Sequence, residues 1–219
     1  MKKTIAILLA LVMTVSLLVG CSKGGGNDGE KTLTVALTAA PTHLDPHPQA
    51  STDSYRVVTQ IYDRLVELDA DMKLVPVLAE SWEVKDETTT VFHLRKGVKF
   101  HDGNEMKAED VKFSLERCIA SPGVNYNYLI ISEINIIDDY TVEFKTSEPC
   151  SVLLQRLTLD AASILSKAAV ESTDDFDSHP VGCGPFKFVS WDTTSGEVVL
   201  EAFDDYWEGR PAIDKLVFK

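Results

Sequence analysis

The segment Leu94–Arg117, LRKGVKFHDGNEMKAEDVKFSLER, opens as a strand, breaks at a turn and closes as a helix. Val91, His93 and Arg95 alternate with Phe92, Leu94 and Lys96, which predicts a strand with one wet face. His101-Asp102-Gly103 ends it, because Asp-Gly favours a turn in which glycine takes a positive φ without penalty. A helix is expected from about Ala108, with Glu109 and Asp110 in the first turn, where the helix dipole favours carboxylates. Ala108, Val111, Leu115, Cys118 and Ile119 form one apolar stripe, and Glu109, Lys112, Glu116 and Arg117 lie on or near the other face. His101 and Asp102 suit a catalytic or metal pair in residue type, but a His-Asp-Gly turn is first of all a turn, and the stretch is read as structural.

The chain has 219 residues, enough for one or two domains and a sizeable core. It is 44% hydrophobic and 25% charged, as ordinary globular proteins are. Its net charge of −13 argues against nucleic-acid binding, which leaves a basic footprint. Residues 1–20 read as a signal segment: Lys2 and Lys3 precede an apolar run too short to span a bilayer comfortably. The run ends in Leu18-Val19-Gly20-Cys21, which resembles the bacterial lipobox and so makes Cys21 the expected lipidation site, the alternative being an ordinary signal peptide that contains a Cys. Each acyl chain contributes about 0.8 kcal/mol per buried methylene, so several chains anchor a protein firmly to a membrane. Residues 21–31 are then a flexible tether, too polar and glycine-rich to order themselves.

Further along, Thr32–Thr38 alternates as a strand and runs into a loop broken by Pro41, Pro46 and Pro48. Ser51 or Asp53 is placed to cap a helix to about Leu65, with Tyr55, Val58, Ile61, Tyr62 and Leu65 on its apolar face. Hairpins are expected at 66–75, at 83–94 around Asp86-Glu87, at 131–146 around Asp138-Asp139-Tyr140, and at 186–202. Short helices are expected at about 152–157 and 166–172, and a last strand at 213–219. Ser121-Pro122-Gly123 stops the central helix.

Several of these stretches carry a resemblance. Leu94–Gly103 followed by Ala108–Arg117, Leu44-Asp45-Pro46-His47, Pro76–Trp82 (PVLAESW), Pro180–Phe188 (PVGCGPFKF) and Tyr206–Pro211 (YWEGRP) are similar to motifs of the family 5 extracellular solute-binding proteins. These are the peptide- and nickel-type binding components of ABC importers. The resemblance covers residues 32–219 and departs from the pattern at Cys183, where the family usually has Thr.

It implies an α/β fold of the periplasmic-binding-protein type, in the large (type II) peptide-binder class. Residues 32–47 and 179–219 are then parts of the first ligand-binding lobe, and 48–178 an extra α/β domain. Family members are longer, so the opposing lobe is expected to be missing and the chain to be a fragment. The implied function is capture of a di- or oligopeptide outside the cytoplasmic membrane, in the periplasm or on the outer face. Delivery would be to an ABC permease with its ATPase subunits, by a monomer tethered through Cys21. A nickel complex, haem or an opine-like solute remains open as ligand, although Asp160-Ala161-Ala162-Ser163 lacks the arginine that nickel-complex binders can carry. A degenerate surface lipoprotein acting as adhesin or scaffold is the other class. Candidate ligand contacts are Pro41, His43, Leu44, Asp45, His47, Gln49, Ser51, Tyr126, Tyr128, Asp160 and Ser163. The alternative for the proline-rich loop is a crossover holding two domains in register, with Asp45 only capping or turning the chain.

With Cys21 lipidated, Cys118, Cys150 and Cys183 remain. Cys118 sits on the apolar stripe as a small hydrophobe, and Cys150 and Cys183 are the candidate disulfide pair. No close-spaced ligand pairs suggest zinc or another metal, no cofactor motif is present, and neither a Gly-x-Ser-x-Gly elbow nor His-Glu-x-x-His occurs, so no enzyme chemistry is expected.

Overall fold

The computed structural model describes residues 29–48 and 51–219, of which Lys31–Lys219 form one compact unit. Strands β1 (Thr32–Val35), β8 (Phe186–Asp192), β9 (Glu197–Ala202) and β10 (Lys215–Phe218) form a sheet in the order β1-β10-β9-β8. β1 runs parallel to β10, from Thr32 opposite Lys215 to Val35 opposite Phe218, and the other pairings are antiparallel. A second sheet has the order β4-β5-β7-β6, built from β4 (Ala79–Val84), β5 (Thr89–Leu94), β6 (Ile131–Asp138) and β7 (Thr141–Thr146), all antiparallel. β2 (Val66–Leu68) and β3 (Leu74–Pro76) make a separate hairpin.

Helix α1 (Thr52–Ile61) starts where Ser51, in an extended conformation, accepts a hydrogen bond from Ser54 N. It stops at Tyr62, which is already extended, several residues before the expected end near Leu65. The apolar stripe continues beyond the helix because Leu65 and Val66 turn into the other core. Val57, Val58, Ile61 and Tyr62 pack under the first sheet with Leu44, Leu200, Leu216 and Phe218. This helix lies in the stretch assigned from sequence to the extra domain, yet its apolar face belongs to the first sheet's core.

Helix α2 (Ala108–Ala120) begins as expected, with Asp110 accepting from Lys107 N at 2.9 Å. Ala108, Val111, Leu115 and Cys118 enter a core with Phe92, Leu94, Phe144, Ile131 and Ile134 from the second sheet. In β5 Phe92 and Leu94 face the core, while on the opposite face Thr89 and His93 are partly exposed and Val91 is buried, so that face is less wet than the alternation predicts. Arg95 and Lys96 lie beyond its end. The short helices α3 (Leu153–Arg156) and α4 (Lys167–Glu171) and the 3-10 turns Asn125–Asn127 and Asp160–Ala162 complete the described elements.

The two cores meet where chain crosses chain. Gly184 N donates to Ile61 O at 2.9 Å. A Cβ on Gly182 would lie 2.1 Å from Ile61 O, and one on Gly184 2.7 Å from Ile61 C. Neither glycine has a positive φ, so glycine is needed there for close approach rather than for a left-handed conformation. His101 fastens the same crossing. Its ring accepts from Gly182 N at Nδ1 (3.4 Å) and donates from Nε2 to Gly184 O (3.0 Å), edge-on to Phe203. Burial pushes its pKa down to about 4, which fits this neutral tautomer.

Cys183 is buried within this crossing, and burial raises its thiol well above the ordinary range. Cys150 packs against the same core and lines a hollow of about 300 Å³ with Asp86, Thr88 and Leu154. The expected Cys150–Cys183 disulfide is corrected: Cys118, Cys150 and Cys183 are all free.

Gly182→Ala is expected to lose about 3 kcal/mol of stability, as overpacking against rigid backbone does. Gly103→Ala meets no neighbour within 4 Å but has φ +90, and should lose nearer about 1 kcal/mol. Urea unfolding of both variants checks the order; equal losses would refute the close-approach account.

Candidate functional site

In an α/β sheet, ligands gather at the carboxyl ends of parallel strands. Here those ends belong to β1 and β10, and pairing continues past β1, with Lys219 N donating to Val35 O and Leu37 N to Lys219 O. The chain leaving β1 is the proline-rich loop 38–48, which therefore departs from the end of the sheet where α/β folds commonly gather ligands.

Prolines deprive the loop of a ladder, and side chains satisfy its backbone instead. Asp177 Oδ1 accepts from Leu44 N (2.5 Å) and Asp45 N (2.8 Å), and Ser54 Oγ accepts from Thr42 N (3.0 Å) and His43 N (3.3 Å). At the loop's start Asp53 accepts from Thr38 Oγ1 at 2.8 Å. His43 Nδ1 lies 2.9 Å from Asp45 O and therefore carries the proton there. Arg117, at the end of α2, grips Asp45 with both terminal nitrogens and also meets His47 Nδ1 at 2.7 Å. Burial alone would push the Asp45 carboxyl up, but Arg117 holds it below the usual range. Burial pushes His47 down to about 4, against the pull of Asp45. The pair is therefore Asp45⁻–Arg117⁺ beside a neutral His47.

A second polar group flanks the loop. Arg64 Nη1 donates to Asp160 Oδ1 at 2.7 Å and its other terminal nitrogen meets Glu67. Burial raises Asp160 despite Arg64, and burial followed by the charge of Asp160 pushes Tyr55 up to about 12. Tyr126 and Tyr128 belong to the same neighbourhood: Tyr126 acts on Tyr55, and Tyr55 and Asp160 act on Tyr128. Behind them Asp63 accepts from Trp207 Nε1 at 2.7 Å, and the Arg95 guanidinium lies 4.3 Å over the Trp207 ring.

The sequence candidates separate accordingly. Asp160 is half-exposed and Tyr126 is 66% exposed, beside the loop and accessible to a solute. Pro41, His43, Leu44, Asp45 and His47 are buried within the loop, and Ser51 caps α1. Tyr128 and Ser163 are fully buried; Ser163 Oγ donates to Asp160 O at 2.6 Å. Gln49 and Cys21 lie outside the described residues. Sequence reasoning passed over Arg117, Asp177, Tyr55 and Arg64. An arginine in the last turn of α2 and an Asp-Pro in a loop without a ladder were the available signals for the ion pair; Asp177 offered none. Among the described residues, no group of three His, Cys, Asp or Glu side chains is placed to hold a metal ion.

The family model for bacterial extracellular solute-binding proteins, family 5 (middle), matches residues 73–219. The dipeptide-binding protein of Escherichia coli K12 is 36% identical over 217 residues, covering 86% of this chain and 40% of that protein. DppA of Helicobacter pylori, an ABC transporter-associated periplasmic binding protein solved with the peptide STSA, superposes with a TM-score of 0.77 at 34% identity. That match covers 86% of this chain and 42% of DppA. The binding protein AgaA of A. tumefaciens R10, solved with agropinic acid, has a TM-score of 0.79 at 36% identity, covering 86% of this chain and 40% of AgaA. The chain thus spans about two fifths of the length of the relatives it matches.

Asp63 supplies a pH test. Burial raises its pKa from 3.8 to about 7, with Trp207 opposing the rise. The folded protein then holds a proton that the unfolded chain releases, so stability falls as pH rises from about 4 to 7 and levels off above. Asp63→Asn keeps an acceptor for Trp207 and should remove this slope, leaving a variant more stable than the wild type at pH 8. Urea unfolding by circular dichroism across this range checks it; parallel slopes in the two proteins would show that Asp63 ionises without cost.

Proposed function

Because the chain belongs to the family 5 bacterial extracellular solute-binding proteins, and has the α/β fold of the peptide-binding periplasmic proteins over part of their length, we propose that it serves an ABC importer by capturing di- or oligopeptides. The family consists of solute-binding proteins rather than enzymes. The observation that carries the reading is the loop 38–48 at the carboxyl ends of β1 and β10, flanked by Tyr126 and Asp160, within a fold that matches a peptide-bound relative over 86% of this chain. Residues 32–47 and 179–219 then act as parts of one lobe, with 48–178 as the extra domain. The part of the relatives that this chain does not span would supply the opposing lobe. An extended peptide suits such a cleft because its backbone can pair in strand fashion.

Delivery to a permease and its ATPase subunits, and tethering outside the cytoplasmic membrane through an acylated Cys21, complete the proposal. The agropinic acid in AgaA favours a second reading, in which the solute is a small opine-like acid. Isothermal calorimetry of the protein expressed from its native gene separates the two. A panel of di- to tetrapeptides is expected to give micromolar or tighter dissociation constants, and agropinic acid none. Binding of agropinic acid with no response to any peptide would overturn the peptide reading.

A further inference from the structure

A loop with three prolines, placed where a solute is expected, needs something to fix its shape. Two of its anchors come from the end of α2. The Arg117 guanidinium holds both Asp45 oxygens and, through Nη1, His47 Nδ1 at 2.7 Å. Ser121, just past the helix, donates from Oγ to His47 O at 2.5 Å. The rest of α2 is set in the second sheet's core through Val111, Leu115 and Cys118. We propose that Arg117 is a positioning residue for solute capture: it clamps residues 45–47 of the loop to the second core and so sets the shape the loop presents to solute. This rests on the peptide-capture reading for the solute, and on geometry alone for the clamp.

The chemistry of the clamp is specific to arginine. Its planar fork meets a carboxylate with two parallel bonds and still has a hydrogen for a third acceptor, which the point charge of lysine cannot reproduce. A guanidinium only donates, so His47 Nδ1 is an acceptor and the ring proton sits on Nε2. His47 Nε2 meets no side-chain partner among the described residues and has only the Ala161 backbone near it, so the tautomer is set chiefly from the Arg117 side. Asp45 and Arg117 act directly on His47, and Asp177 and Tyr62 stand beside that pair. Without Arg117, Asp45 would be the charged partner left to the imidazole, and His47 would take up a proton more readily.

The test uses two readouts on the protein expressed from its native gene: calorimetry with the peptide panel, and long-range 1H–15N correlation on 15N-histidine-labelled protein. In the wild type, His47 should show the Nε2–H tautomer and stay neutral down to about pH 5. Arg117→Met should move its titration upward and weaken peptide binding at least tenfold. That variant leaves a buried carboxylate uncompensated and can fail to fold. The double variant with Asp45→Asn and Arg117→Met removes both charges, should keep a cooperative thermal transition, and should still bind at least tenfold more weakly. Arg117→Lys should restore the charge without restoring the His47 tautomer or the affinity. Wild-type affinity within twofold in the double variant, or an unchanged His47 titration in Arg117→Met, would overturn the proposal. If the wild type binds no peptide, the functional reading fails, and the His47 titration alone decides the clamp.

Discussion

The contact on which most else depends is bare backbone against bare backbone, at Gly182–Gly184 over Ile61. Side chains cannot mediate it because none fits between the strands of chain. Its closeness fixes where α1 ends, since Ile61 O is taken by Gly184 N. It also sets the reach of the residues just beyond the helix. Asp63 and Arg64 come directly after α1, and they meet Trp207 on one side and Asp160 on the other. The turn after β5 is held to the same place through His101. Elements far apart in sequence therefore share a single register mark, and the candidate solute surface is assembled around it.

Charge is handled differently at each buried position. Asp45 and Arg64 have ionic partners that share the cost of leaving water. Asp63 is held chiefly by an indole N–H and its neighbour Tyr206, so burial dominates and its proton is retained to higher pH. The net charge of −13 does not predict which carboxylates behave this way. Arg117 outweighs burial at Asp45 whereas Arg64 does not at Asp160, so the balance at each carboxylate is a property of the tertiary fold.

The local grammar of the chain was legible in its residues. The strand, Asp-Gly turn and capped helix of 89–120 stand nearly where their pattern put them, because helix capping, glycine turns and apolar spacing act over a few residues. The hairpins at 131–146 and 186–202 form for the same reason. Partnership over long distances was not legible. Nothing in the spacing of Val57, Val58 and Ile61 says which sheet they face, and the Asp-Pro at residue 45 and the arginine 72 residues ahead each suggest a partner without saying that they are each other's. Val91 on the outer face of β5 is nevertheless buried, and β4 began at Ala79, earlier than its turn suggested. At the candidate site, residue types suitable for ligands were easy to find, but burial turned Leu44, Tyr128 and Ser163 inward. A loop that lacks a ladder must use some of its polar side chains on itself, and sequence does not say which.

The parallel pairing of β1 with β10 joins segments that are made far apart in time. Lys31 and Asp214, which meet at the start of this pair, are 183 residues apart. Contacts of such separation demand a large loss of chain entropy before any ladder forms, and they slow folding. During synthesis β1 is made first but has no partner until β10 emerges. Until then its hydrogen-bonding edges stay open, the state in which a chain is most easily captured by an export chaperone or by another unpaired strand. The end of the sheet from which the proline-rich loop departs is thus among the last of the described elements to close.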